Sequence, residues 1–488
     1  MRNYYQCIIP RMDGESIEKD FPRHRGLVRK GIGGFILFGG KLSTVRRHIR
    51  LLQEEAPHPL IIASDLERGL GQQLRGGTDF PPAMALTSAV AGAGTGSIKK
   101  KALSALRTSF AAVAEEAAYA GINTIFAPVL DINTNRGNPI IATRSFGEDK
   151  ETVSFMGCEM VRVFGEYGVA SCGKHFPGHG DTEVDSHIRL PSVSRSLGAL
   201  VRRELTPFRR AMEAGAPMIM LAHMSVPALD PSGVPVSLSE KAVSYIRDTM
   251  RYNGILITDA MNMGGIGRYV EEKACLMALR AGVDLILHPT DVEKVVSYMK
   301  KAEPKVDVSR IDTFRQSLLT GSRQRPDFAL HKTISDELVR RSISATGLRS
   351  LRRPFLVILN DDKEDRGGVL IKRLRKDIPG LGHLALNQGE EMNGCTPPQG
   401  ADVVVAVFSE TRGWKGGASA WLFRAMAGLD YRNSVFVSFG SPYILDPIKK
   451  AAKVFAYWHS GTAQEAVADI IIKKTAAEKA HDLPPFLR

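Results

Sequence analysis

The sequence predicts an α/β protein in which a (β/α)8 barrel of the TIM type is followed by a smaller α/β sandwich domain. Three observations carry this. Eight short apolar runs recur over the first 290 or so residues, at 7–9, 35–38, 60–63, 124–127, 169–172, 218–221, 255–257 and 285–287. Helical patterns separate most of them, as at 103–119 and 152–164, where apolar residues recur at three- and four-residue spacing. Strands alternating with helices imply a parallel sheet, and near-continuous apolar runs suit strands covered on both faces. The third observation is the polar, ionisable residues just beyond the runs. Asp65 and Glu67 come after the third, Asp131 after the fourth, Lys174 and His175 after the fifth, His223 after the sixth, Asp259 after the seventh and His288 after the eighth. In a parallel barrel all strand C-termini share one rim, and that rim carries the chemistry.

The main alternative is a doubly wound open sheet, which needs a glycine-rich phosphate loop after its first strand. Gly31, Gly33 and Gly34 precede a strand instead, so they read as a turn. Apolar runs resume at 355–359, 403–408, 435–439 and 454–457, alternating with helical stretches at 418–427 and 461–472. The expected organisation is therefore a barrel at 1–305, a polar helical connector at 306–350 and a C-terminal α/β domain at 351–488. Residues 363–400, rich in charge, glycine and proline, read as an exposed turn region.

With 488 residues, 43% of them hydrophobic, the chain is too long for one ordinary domain and can bury large cores. Since no apolar run reaches the roughly 18 residues of a membrane helix, no membrane span is expected. The first residues lack a secretory pattern, and the five cysteines are far apart without CxxC spacing, so reduced thiols and cytoplasmic residence are expected. The net charge of +13 raises nucleic acid or an anionic ligand as a partner. The basic clusters at 46–50, 202–203, 209–210 and 372–376 are short, lie on helical-looking segments and have no aromatic stacking platform nearby. They read as solvated helix faces, not a nucleic-acid interface, although a basic balance suits an anionic substrate.

The densest chemistry lies in residues 174–187, which hold Lys174, His175, His179, Asp181, Glu183, Asp185 and His187 around Gly178 and Gly180. Glycine and proline mark a loop, delivered by the buried strand at 169–172. A solvated polar loop and a metal cluster are the bland readings. No HExxH spacing supports a metal, and no cofactor is expected. An active-site loop is favoured.

Taken with Phe126 to Ile132, Arg144 to Asp149 and Leu256 to Met261, this loop resembles glycoside hydrolase family 3, in its β-N-acetylhexosaminidase branch. Residues 435–443 are similar, more weakly, to that family's C-terminal domain. The resemblance implies a retaining exo-β-N-acetylglucosaminidase acting on GlcNAc-containing muropeptides or chitooligosaccharides. It implies Asp259 as nucleophile, His187 as general acid/base and Asp185 as the partner of His187. Retaining cleavage needs an attacking carboxylate and an acid that later serves as base, and an imidazole titrating near neutrality suits the second task. The resemblance further implies sugar-binding roles for Asp65, Arg144, Lys174 and His175. At the family's usual arginine position stands Gln73, so Arg75 fills that role only if its loop bulges. His179 and Asp181 read as residues that hold the loop's fold, and His223 and His288 as satisfied structural histidines. Rival activities are a glycoside phosphorylase, because a histidine acid does not repel phosphate; a β-glucosidase, weakened by the histidine loop; and a non-catalytic carbohydrate-binding cell-wall protein, disfavoured because Asp259, Asp185 and His187 are all present.

Overall fold

The computed structural model describes residues 3–92, 96–182, 190–318, 324–391, 397–410, 417–429 and 434–472. The chain packs as two compact units that do not follow it linearly: Met1–Phe80, Arg107–Asn135 and Glu148–Lys332 form the first, and Pro81–Leu106, Arg136–Gly147 and Thr333–Arg488 the second.

The first unit is the parallel barrel. Its strands are β1 (Ile8–Ile9), β2 (Arg11–Asp13), β3 (Gly34–Phe38), β4 (Ile61–Ser64), β5 (Thr124–Ile125), β6 (Ala170–Phe176), β7 (Met218–Leu221), β8 (Ile255–Thr258) and β9 (Ile286–Leu287). β2 through β8 pair in sequence order, all parallel. Pro10, which has no N–H to donate, divides the first strand, so that β1 pairs with β9 while β2 pairs with β3. A bridge between Ile257 and Leu285 joins β8 to the segment leading into β9 and closes the ring. Each of the eight expected apolar runs overlaps one of these strands. Strands β4, β7 and β8 are buried at every position, as expected of a sheet with helices outside and side-chain layers within. Close approach demands glycine at the start of β3, where a Cβ on Gly34 would lie 1.9 Å from the Ile61 carbonyl oxygen.

The second unit holds a six-stranded sheet of β10 (Ser344–Thr346), β11 (Pro354–Asn360), β12 (Gly382–Asn387), β13 (Asp402–Phe408), β14 (Ser434–Ser438) and β15 (Ala452–Phe455), ordered β10-β15-β14-β13-β11-β12. Only β10 runs antiparallel. Alternate residues separate two cores. Leu356, Ile358, Val404 and Ala406 face Leu370, Leu374 and Val467 on one side, while Val357, Leu359, Val403 and Val405 meet Leu422, Met426, Met84 and Ala85 on the other. No described helix in either unit is long and apolar enough to cross a membrane.

Candidate active site

The carboxyl ends of β4, β6 and β8 carry four of the eight expected site residues, Asp65, Lys174, His175 and Asp259, and the segment after β5 adds Asp131. Lys174 is the anchor. It lies within β6, and its backbone is fixed to the segment after β5: its N–H donates to the Pro128 carbonyl (3.0 Å) and its carbonyl accepts from Leu130 N–H (2.6 Å). Its side chain is only 2% exposed, and the ammonium donates to Asp65 Oδ1 at 2.6 Å and lies 2.7 Å from Glu67 Oε1. A buried ammonium is stable only with such partners, and two carboxylates at bonding distance hold it charged. Sequence reasoning assigned Glu67 no role; its place two residues after Asp65 on the same rim was the available signal.

Asp131 is the second organiser. Its carboxylate is fully buried and accepts from His175 Nδ1 (2.7 Å), His175 N–H (3.3 Å) and His179 N–H (2.6 Å). Burial pushes this carboxyl up, but the charge and hydrogen bonding of His175 and His179 outweigh it and hold the group below the ordinary carboxylate range. One carboxylate therefore fixes the last turn of β6 and the beginning of the histidine loop. Gly180 then passes so close to residue 132 that a Cβ there would lie 1.8 Å from the Ile132 carbonyl oxygen. His179 is buried and its ring bonds Thr182 Oγ1 at 2.7 Å, which fits the expected fold-holding role. Desolvation lowers its pKa to about 4, so it is neutral at working pH.

Asp259 follows β8 directly, half-buried, with its N–H on the Leu221 carbonyl (2.9 Å) and its Oδ1 accepting from Ala260 N–H (2.8 Å). Burial above all raises the pKa of the Cys172 thiol, and the charges of Lys174, Asp65 and Asp259 all act on that same thiol. Asp65 and Asp259 directly follow β4 and β8, and Lys174 lies near the end of β6, so all three belong to the same rim of the parallel barrel. The adjacent peptide is steadied by His223, fully buried, whose Nδ1 meets Ser237 Oγ at 2.7 Å and whose Nε2 lies 3.1 Å from the Ala260 carbonyl oxygen. His223 therefore has polar partners on both ring nitrogens and supports the segment that follows Asp259.

The Arg75 guanidinium is paired with Glu15, its Nη2 donating to Oε2 at 2.8 Å. Gln73 instead reaches the Asp65 backbone, its Nε2 donating to that carbonyl at 3.3 Å. Arg144 belongs to the second unit, where Nη1 donates to the Ile140 carbonyl at 3.1 Å. Asp185 and His187 lie outside the described residues. His288, beside the Phe38 ring, is half-buried and desolvation lowers its pKa. Among the described residues no group of three or more histidines, cysteines or acids is arranged to hold a metal ion.

Residues 18–318 match the glycosyl hydrolase family 3 N-terminal domain. The chain belongs to this family. It is 33% identical over 326 residues to "Beta-hexosaminidase A" of Pseudoalteromonas piscicida, an alignment covering 61% of this chain and 53% of that one. It is 30% identical over 292 residues to the "Beta-N-acetylglucosaminidase/beta-glucosidase" of Cellulomonas fimi, covering 57% and 50%. The chain thus spans about half the length of these curated relatives. Among solved structures it is similar to a family 3 β-N-acetylglucosaminidase from Paenibacillus sp. str. FPU-7, with TM-score 0.79 and 26% identity over 97% of this chain and 96% of that one.

Proposed function

We propose that the protein is a retaining exo-β-N-acetylglucosaminidase that removes terminal GlcNAc from muropeptides or chitooligosaccharides through a covalent glycosyl-Asp259 intermediate. The observation that carries the reading is the buried Lys174 ammonium held between Asp65 and Glu67 on the barrel rim where Asp259 directly follows β8. Fixed carboxylates accept from sugar hydroxyls and a fixed ammonium donates to them, so the rim can grip a ring without moving. Asp259, steadied through the Ala260 peptide, is then the carboxylate available to attack the anomeric carbon.

In this reading His187, oriented by Asp185, protonates the departing oxygen and then takes a proton from the water that releases the sugar. Lys174, Asp65 and His175 bind the terminal sugar, and Arg144 and Arg75 are the further sugar contacts of the reading. The names of the two curated relatives and of the Paenibacillus enzyme support the choice of an N-acetylhexosamine. Cytoplasmic residence belongs to the same proposal, and the four described cysteines, all buried thiols, suit a reducing compartment.

The test is product analysis with p-nitrophenyl β-GlcNAc, with and without phosphate. Free GlcNAc in both arms is the expected result. A sugar 1-phosphate appearing only with phosphate would make the protein a phosphorylase, equal kcat/KM on the β-glucoside would make it a glucosidase, and no product at all would leave a carbohydrate-binding protein.

A further inference from the structure

Asp65 and Asp259 follow β4 and β8 and Lys174 lies in β6, while the arc of the rim made by β9, β2 and β3 takes no part in the proposed mechanism. Strand register shows which side chains that arc turns inward. Phe35 packs edge-on against His24 of the outer helix Ile17–Arg29, ring centroids 5.3 Å apart, so it faces out of the barrel. By alternation Ile36 and Phe38 face in. Parallel pairing sets Arg11 and Ala63 on either side of Ile36, and Asp13 beside Phe38. Partners in register share a face, so Arg11, Asp13 and Phe38 look the same way as Asp65, two residues beyond Ala63.

Arg11 is the chemically active member of this group. Its side chain is 48% exposed, and exposure on an inward face means that the guanidinium reaches the open mouth of the barrel. Cζ stands 4.9 Å from the centroid of the Phe38 ring, a cation–π contact. Nη2 donates to Asp13 Oδ2 at 3.0 Å, and Asp13 is itself held by Glu15, whose N–H donates to Oδ1 at 2.9 Å. Among the described residues Asp13 is the one hydrogen-bond partner of Arg11, so the other N–H groups of the planar fork remain for a second carboxylate. His288, its ring centroid 6.2 Å from that of Phe38, closes the group from the β9 side. Desolvation lowers its pKa and the Arg11 charge acts the same way, so the imidazole is neutral at pH 7 and Arg11 is the cation of the arc.

We propose that Arg11, braced by Phe38 and Asp13, is a specificity-determining residue that binds a carboxylate on the leaving part of the glycoside; the inference rests on the glycosidase reading of the same rim. With the terminal sugar held from β4 and β6 and attacked from β8, the β9–β2–β3 arc is left for the portion of the substrate beyond the scissile bond. A carboxylate there receives parallel, charge-assisted N–H bonds from the free edge of the guanidinium. Arginine suits the place better than lysine, because its flat head stacks on the ring and stays aimed while it donates. The anionic substrate suggested by the net charge of +13 thereby gains a point of contact. Because the guanidinium is half exposed and shares its charge with Asp13, the preference it confers is about tenfold, below that of a buried pair.

The experiment uses two aryl β-GlcNAc glycosides that differ only in a meta substituent of the phenol, a carboxylate in one and a carboxamide in the other. Wild type, Arg11→Gln and Arg11→Lys are compared by the ratio of kcat/KM on the two. Comparing one ratio across proteins cancels the difference in leaving-group strength. The expected ratio is about tenfold higher in wild type than in Arg11→Gln, with Arg11→Lys between them. Raising the ionic strength from about 0.02 to about 0.5 M should shrink the wild-type ratio and leave that of Arg11→Gln unmoved. The same ratio in all three proteins overturns the role of Arg11 while the glycosidase reading stands. Equal losses on both glycosides with a lowered melting temperature make Arg11 a structural brace and also overturn the proposal. No turnover of either glycoside by wild type removes the glycosidase reading and the inference with it.

Discussion

Replacing Lys174 by methionine tests the site at its most constrained point. The substitution keeps an unbranched chain of similar length and removes the charge. Two carboxylate oxygens, of Asp65 and Glu67, lie 2.6 and 2.7 Å from the ammonium nitrogen, so they are at most about 5 Å apart. At an effective dielectric of ~20 two such charges repel by about 3 kcal/mol. Breaking a buried pair costs about 3–5 kcal/mol, and the lower end applies because the Asp65 side chain is 28% exposed and partly screened by water. Both routes give about 3 kcal/mol, roughly 6 °C in Tm for a unit this large.

In the variant, repulsion raises the folded-state pKa of one carboxylate above its unfolded value, so the penalty is present at neutral pH and fades as that group takes up a proton on acidification. Thermal unfolding of wild type and Lys174→Met between pH 5 and pH 8 measures it directly. A variant within 1 °C of wild type throughout would mean that the three charges do not form one cluster, and the argument for a preset sugar grip would fall with it.

Asp259→Ala should lower kcat by about 10⁴-fold or more with an unchanged circular dichroism spectrum, since the nucleophile is lost and the strand is not. His187→Ala should lower turnover of poor leaving groups by roughly 10²- to 10⁴-fold and let the glycosyl-enzyme accumulate on a dinitrophenyl glycoside, seen as a phenol burst and by intact-protein mass. His223→Ala should lower kcat by about tenfold and cost about 1–3 kcal/mol in urea unfolding, because Ser237 and the Ala260 carbonyl lose a buried partner. His331 is buried beside Glu116, 2.8 Å away, and Glu115; desolvation lowers its pKa, but the bond and charge of Glu116 prevail and raise it. Its stabilising effect is complete below the unfolded value near 6.5 and is lost as pH rises through the higher folded value, so the stability gap between wild type and His331→Gln should be widest below pH 6 and shrink above neutrality.

The barrel was legible because its strands are buried on both faces and so read as unbroken apolar runs. The elements that sequence reasoning missed lack that signal. β12 buries only Leu386 and has no apolar run, inside a stretch that reads as turns, and β10 is a three-residue edge strand inside the expected connector. The recruitment of 81–106 and 136–147 to the second unit was equally silent, because Met84 and Ala85 are apolar whichever core they enter. β6 runs on to Phe176, past the expected end at 172, because Lys174 and His175 satisfy their polar groups against Asp65, Glu67 and Asp131 while remaining in the strand.

That last difference explains how one chain segment does two mechanical jobs. Lys174 and His175 are strand residues whose side chains are fixed by carboxylates from other strand ends, so the part of the site proposed to hold the sugar inherits the rigidity of the barrel. Rigidity is handed onward by Asp131 to His179, and by Ile132 and Asn135 to Gly180 and Thr182. From there to Pro191 the described ties to the barrel resume only at Ser225 and Arg195. In the proposed mechanism the nucleophile must stay below one carbon; a strand end serves that need, and Asp259 directly follows one.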